Sequence, residues 1–268
     1  MVQQLGQDVA LRYDSAPARR QSILDAVKTS GFVSVTDLTR LLGVSDMTVR
    51  RDLRKLEQRG KVRVVHGGVS ALTRPLHSPT FAGRAETHAD GKRVIGEAIA
   101  RDVSADATIA IDAGTTTYAA VQALPDTFHG TVVTHSIPVM QLLLHRELRR
   151  VVGLGGELLP DSQAFIGPRT VDAVKGLRVQ TLLLGAAAAD HRGIYVASDN
   201  ERPTKLALMS IADRVVLLLD ATKFASGAPV LLCTWDAIST LVTDAPVPSK
   251  IKRRLGSLGV HVKVAQQR

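Results

Sequence analysis

Two groups of residues in this chain of 268 have types and spacings suited to chemistry. The first begins at Asp112-Ala113-Gly114-Thr115-Thr116-Thr117, an acid, a glycine and three hydroxyls in consecutive company. Glycine allows a tight turn, a helix opening behind it would offer free N–H groups, and the hydroxyls add donors; together these suit a phosphate. Gly-Thr-Thr is equally an ordinary helix N-cap, and alone the motif does not choose. Its company does. Thr134-His135-Ser136, Gly155-Gly156, Gly185 and Asp220-Ala221-Thr222-Lys223 each follow a short apolar run, so they would gather at one end of a sheet. In the second group, Met47, Thr48, Arg50, Arg51, Arg54 and Lys55 fall off the helical stripe made by Val49, Leu53 and Leu56. A short helix that is apolar on one side and cationic on the other suits a polyanion.

The elements that must hold these groups follow from periodicity. Ser45 is a good N-cap for the cationic helix, and Asp46 meets the positive end of its dipole. Upstream, Ser34-Val35-Thr36-Asp37 is a capping-box variant opening a helix that Gly43 stops. Two helices joined by a glycine-containing turn, the second cationic, describe a helix-turn-helix whose second helix enters the major groove. An earlier helix over 17–30 turns Ile23, Leu24 and Val27 inward, and apolar runs at 32–33 and 62–65 add a wing. Residues 1–16 form a loose tail, 17–72 the winged helix-turn-helix, and 73–90, with two prolines and no period, a linker. Over 91–268, helical patterns alternate with apolar runs near 108–111, 131–133, 151–154, 181–184, 214–219, 239–242 and 261–264. That alternation implies a Rossmann-like α/β domain, a parallel sheet covered on both faces. Such sheets bind ligands outside the carboxyl ends of their strands.

These residues carry a family resemblance. Arg19, Ile23 and Val27, then seventeen residues to Ser45, then Thr48-Val49-Arg50-Arg51-Asp52-Leu53, resemble the DNA-binding signature of DeoR-type transcriptional regulators. Gly60-Lys61-Val62-Arg63-Val64-Val65-His66-Gly67-Gly68-Val69 resembles that family's wing. The second half is similar to the DeoR effector domain, whose fold is related to ribose-5-phosphate isomerases and CoA transferases. Its acid before Gly-Thr-Thr matches Asp112 to Thr116, its Gly-Gly matches Gly155-Gly156, its Asp-x-x-Lys-Phe matches Asp220 to Phe224, and its late Thr-Asp matches Thr243-Asp244. His135 departs from the family's Thr-Asn-Ser, removing an amide that both donates and accepts. Gly185-Ala186-Ala187-Ala188-Ala189-Asp190 stands where the isomerases keep catalytic acids; alanines move no proton, and Asp190 reads as a turn residue.

The resemblance implies a DNA-binding regulator, of repressor type in the family's manner, controlled by a sugar phosphate or similar metabolite. DNA contacts are then expected from Ser34, Ser45, Met47, Thr48, Arg50, Arg51 and Arg54, with Lys61, Arg63 and His66 reaching the backbone from the wing. Effector contacts are expected from Asp112, Gly114, Thr115, Thr116, Thr117, Thr134, His135, Ser136, Gly155, Gly156, Gly185, Glu201, Lys205 and Lys223. A recognition helix reads few base pairs, so a homo-oligomer, dimer or tetramer, is expected on repeated half-sites. No catalytic residue, metal or cofactor is expected. The rival readings are an isomerase fused to a DNA-binding head and a DNA binder without sequence preference.

Charge and composition agree with a two-part plan. The net charge is +9, and residues 1–75 hold thirteen Lys and Arg against seven Asp and Glu, a surplus of +6 in the first quarter. A basic module on a near-neutral body fits a polyanion-binding head on a sensor. Aromatic content of 3% argues against recognition by base stacking. The eight histidines lack metal-ligand spacing, and the single Cys233 permits no internal disulfide, which points to the cytoplasm. No apolar run is long enough for a membrane span.

Overall fold

The computed structural model describes residues 16–30, 32–59, 61–65, 68–71 and 80–266. The expected tail, apart from Ala16, and residues 73–79 of the expected linker lie outside the described residues. The chain divides into two compact units between residues 77 and 78.

The first unit has helix α1 (Ala16–Ser30), strand β1 (Phe32–Ser34), helices α2 (Val35–Leu42) and α3 (Asp46–Gln58), and strands β2 (Val62–Val65) and β3 (Gly68–Ala71). The three strands form an antiparallel sheet in the order β1-β3-β2. Ile23 and Val27 from α1, Leu38 and Leu42 from α2, and Val49, Leu53 and Leu56 from α3 close one core over Val62 and Val69. Gly43 ends α2 at φ 63°, a left-handed conformation that favours glycine, and its N–H bonds the Thr39 carbonyl at 3.0 Å. This is a winged helix-turn-helix.

The second unit opens with helices α4 (Phe81–Glu86) and α5 (Ala89–Ala100). The sequence pattern predicts a linker through residue 90; instead Thr80 caps α4 and Phe81 is buried, meeting Tyr118 edge-on at 5.5 Å. Six residues are too few to show a helical period, which is why α4 is invisible in the sequence. Then follow β4 (Thr108–Ile111), α6 (Thr115–Gln122), β5 (Thr131–Thr134), α7 (Ile137–Leu143) and β6 (Arg150–Gly153). A hairpin of β7 (Glu157–Leu159) and β8 (Ala164–Ile166) and helix α8 (Pro168–Ala173) lead to β9 (Val179–Gly185). Strands β10 (Ala188–Ala189) and β11 (Ile194–Val196), helix α9 (Arg202–Ser210), β12 (Ala212–Leu218), β13 (Val230–Cys233), β14 (Thr240–Thr243), α10 (Ser249–Leu258) and β15 (His261–Val264) complete the unit.

Seven parallel strands form the main sheet in the order β15-β14-β12-β9-β4-β5-β6. Alternate residues of each strand go to opposite faces. Ile109, Ile111, Val132, Leu183 and Val216 pack under α5, α6 and α7; Ala110, Val133, Leu182, Leu184 and Leu217 pack on the other side with Leu208, Ile251, Leu255 and Trp235. From β4 the chain proceeds outward to β5 and β6, whereas from β9 it proceeds the other way to β12, β14 and β15. The connections therefore part between β4 and β9. In an open α/β sheet that crevice, at the strands' carboxyl ends, is where ligands bind.

Candidate functional site

Asp112 closes β4 at this crevice and is wholly buried. One carboxylate oxygen accepts the Gly185 N–H at 2.9 Å and pairs with the Lys205 ammonium, which also donates to the Gly185 carbonyl at 3.1 Å. The other lies 3.2 Å from His135 Nε2. Burial would push the Asp112 carboxyl up, but Lys205 and His135 more than offset this and hold it well below the usual carboxylate range. The acid thus ties β4 to the end of β9, to α9 and to the residue after β5.

Downstream of Asp112 the loop is fixed by its own threonine. Thr117 Oγ1 donates to the carbonyls of Asp112 (2.6 Å) and Gly114 (2.8 Å) and accepts the Gly114 N–H at 3.0 Å. The carbonyl of Gly114 accepts the Tyr118 N–H at 2.9 Å, starting α6. Thr115 and Thr116 form the first turn, nine-tenths buried, and their hydroxyls make no hydrogen bond among the described residues. Gly185 packs against this loop, its α-hydrogen side facing Asp112 and Gly114; an added Cβ would stand 3.3 Å from the Asp112 carboxylate. The geometry leaves a helix N-terminus with two spare hydroxyls, able to receive an anion.

His135 plays a different part from the one its sequence position suggests. Nδ1 lies 2.8 Å from the Phe165 carbonyl, which can only accept, so Nδ1 carries the proton. Nε2 stands 3.2 Å from both the Ala113 nitrogen and the Asp112 carboxylate, so it accepts from the first or, carrying a proton, donates to the second. Both ring nitrogens are committed to holding the loop. Thr134 is likewise internal, donating to the Ile111 carbonyl at 2.8 Å, and Ser136 caps α7.

The other expected effector residues divide. Glu201 precedes α9, its carbonyl accepting the Lys205 N–H at 3.2 Å. Burial pushes its carboxyl up, and Asp112 adds to this while Lys205, Arg84 and His135 oppose it. Lys205 is brought to the crevice but spends its charge on Asp112. Lys223, half-buried on the turn after β12, lies near Lys92, whose ammonium burial and Lys223 both destabilise. Gly155 and Gly156 meet α8 instead: the Gly155 carbonyl accepts from Thr170 at 2.9 Å, and a Cβ on Gly156 would reach 2.0 Å from the Thr170 hydroxyl. Asp190 is a turn residue, accepting from the Gly193 N–H at 3.2 Å and the Tyr195 hydroxyl at 3.0 Å. Arg84 on α4 has no counterpart among the expected residues. Half-buried, its guanidinium is disfavoured by burial, which Glu201, Asp112 and Asp161 partly oppose, and the sequence expected to be linker through residue 90 gives no sign of it.

In the head, α3 presents Met47 (80% exposed) with exposed Arg50, Arg51, Arg54 and Lys55. Arg50 reaches back to Asp46 at 2.5 Å, an exposed pair along the helix. Ser45 caps α3, its Oγ 3.0 Å from the Thr48 hydroxyl, and Ser34 caps α2 by accepting the Asp37 N–H at 3.0 Å. Lys61 is exposed; the backbone of Arg63 lies in β2, while its side chain and all of His66 fall outside the described residues. Beyond these, buried Asp52 pairs with Arg19 (2.6 Å) and Arg20 (3.2 Å), clamping α3 to α1. Its signal in the sequence is an acid three residues after Val49, at a core position.

A winged helix-turn-helix joined to a parallel α/β body with a crevice at its switch point defines a DNA-binding transcriptional regulator with a sensor domain. The chain belongs to the DeoR family. The DeoR-like helix-turn-helix domain matches residues 19–74, and the DeoR C terminal sensor domain matches residues 87–245. The uncharacterized HTH-type transcriptional regulator YgbI of Escherichia coli is 32% identical over 248 residues, covering 92% of this chain and 97% of that protein. The glycerol-3-phosphate regulon repressor of Escherichia coli is 30% identical, covering 88% and 94%. Among solved structures, ribose 5 phosphate isomerase A from Neisseria gonorrhoeae overlaps loosely, with a TM-score of 0.38 and 18% identity over 50% of this chain and 53% of that one. The chain is a regulator and not an enzyme. Among the described residues, no helix is long and apolar enough to cross a membrane.

Proposed function

We propose that the protein is a cytoplasmic repressor of a carbohydrate-metabolism operon, and that a phosphorylated sugar or related metabolite bound at the β4–β9 crevice controls it. The observation that carries the reading is the loop from Asp112 to Thr117. Its acid and third threonine are locked internally, while Thr115, Thr116 and the α6 N-terminus stay available at the switch point. A phosphate there would accept N–H bonds from the helix start, with Lys223 adding charge from the neighbouring turn. The family relation to a glycerol-3-phosphate regulon repressor supports the same ligand class. No cofactor enters the reading.

The head reads DNA through α3, with Arg50 and Arg51 toward the groove and Met47 at its entrance, while Lys61, Arg63 and His66 serve phosphates. Thirteen residues of helix reach few base pairs, so two or four copies act on repeated half-sites. The test pairs two measurements on full-length protein: thermal shift against a sugar-phosphate panel, and anisotropy with DNA from upstream of its own gene. At least one phosphorylated compound should raise the melting temperature and change DNA affinity, where the unphosphorylated sugar does neither. Stabilisation by the free sugar alone would refute the phosphate reading.

A further inference from the structure

The helix that the sequence hides, α4, lies against the sensing loop. Phe81 packs edge-on against Tyr118, and the Tyr118 N–H closes the turn that starts at Gly114. The Phe81 N–H also bonds the Asp161 carbonyl at 2.8 Å, fixing the start of α4 to the body. Arg84 stands three residues on, so it shares the face of Phe81. Lys92, itself buried, donates to the carbonyls of Arg84 and Thr87, holding the helix end. The packing of α4 on α6 through Phe81 and Tyr118 thus brings Arg84 within electrostatic reach of Glu201 and Asp112.

We propose that Arg84 is a further ligand-binding residue of the crevice, its guanidinium taking the phosphoryl group that the α6 N-terminus receives, and that α4 is the element that responds. This rests on the reading of the crevice as a phosphate site. A guanidinium presents paired donors that match a phosphate, so its hydrogen bonds are charge-assisted and directional in a way a lysine's are not. The nearby Glu201 carboxylate is disfavoured by burial and by Asp112, while Lys205 and Arg84 favour it, so a dianionic phosphate would compete with it for Arg84. Ligand binding then tightens α4, the first described helix after the residues that join the two units in sequence.

The test uses full-length protein and inorganic phosphate, followed by calorimetry and by amide exchange over residues 81–87. Wild type should bind phosphate and slow exchange in α4. Arg84→Gln should weaken phosphate binding about tenfold or more, and Arg84→Lys should restore only part of it. Lys223→Ala provides the control on the site itself. If Lys223→Ala loses phosphate while Arg84→Gln binds like wild type, the role of Arg84 is overturned and the crevice stands. If wild type shows neither binding nor exchange protection, the crevice reading fails and this proposal with it. Should Arg84→Gln not fold, unchanged α4 exchange in phosphate-bound wild type is sufficient to overturn the proposal.

Discussion

At the scale of single residues, most polar groups at the crevice hold the loop and few remain for a ligand. Asp112 has the largest structural share, since losing it strands the buried Lys205 ammonium. Asp112→Asn should therefore cost about 3–5 kcal/mol of stability, measured by urea denaturation. Adding Lys205→Met should recover part of this, because the stranded charge goes with it. A single variant within about 1 kcal/mol of wild type would contradict the account. Glu201 works in the other direction. Its folded pKa is raised, so above the ordinary glutamate value of about 4.3 the folded state holds the proton longer than the unfolded state. Stability must then fall as pH rises through that window, and Glu201→Gln should flatten the slope. In the head, the Arg50–Asp46 pair is solvent-exposed and screened, so it adds little to stability and is easily exchanged for a DNA contact. Replacing Arg50 or Arg51 with Ala should cost roughly 1–3 kcal/mol of operator affinity at matched salt, with folding intact. Unchanged dissociation constants in both variants would remove these residues from the interface.

At the scale of elements, the loop is only as well placed as α6. Gly96 on α5 lets the two helices touch, for a Cβ there would come within 2.6 Å of the Ala119 carbonyl. Gly96→Ala should separate α5 from α6, cost about 1–3 kcal/mol, and weaken ligand binding although residue 96 touches no ligand. Normal stability together with normal ligand affinity would show the packing to be looser than it looks. The same elements show what could be read from the sequence. The inner strands of the parallel sheet are legible because they are buried and nearly continuous in apolar residues, as at 181–184, while the edge strands β6 and β15 are largely exposed and show only short apolar runs. The helix-turn-helix is legible because its caps are side chains of fixed type, Ser34, Gly43 and Ser45. The small sheet of β10, β11 and β13 is not, since strands of two to four residues around four alanines leave no period. The site was legible as strand ends but not as partners. Asp112–Lys205 is a contact across ninety-three positions, and nothing local to either residue announces it. The partner of His135 is hidden for a related reason: its acceptor in β8 belongs to a hairpin too short to see.

At the scale of the molecule, a regulator needs its two units to influence one another, and that requirement is quantitative. Lys223 is half-buried on the turn after β12 and forms no hydrogen bond with its ammonium among the described residues. Removing its charge should therefore leave the fold, and ligand-free operator binding, close to wild type. It should weaken the effector, since a charge-assisted contact to phosphate contributes roughly 1.5–3 kcal/mol. Coupling is reciprocal: an effector that lowers operator affinity by some factor must itself bind the operator complex more weakly by that same factor. Lys223→Ala should shift the effector concentration needed for regulation while preserving the factor at saturation, because it changes affinity and not the difference between the two states. Titrating operator binding against effector, in wild type and variant, measures both quantities. An unshifted concentration dependence would place the phosphate elsewhere. A reduced factor at saturation would mean that Lys223 itself distinguishes the two states, and the turn after β12 would then belong to the switch as well as to the site.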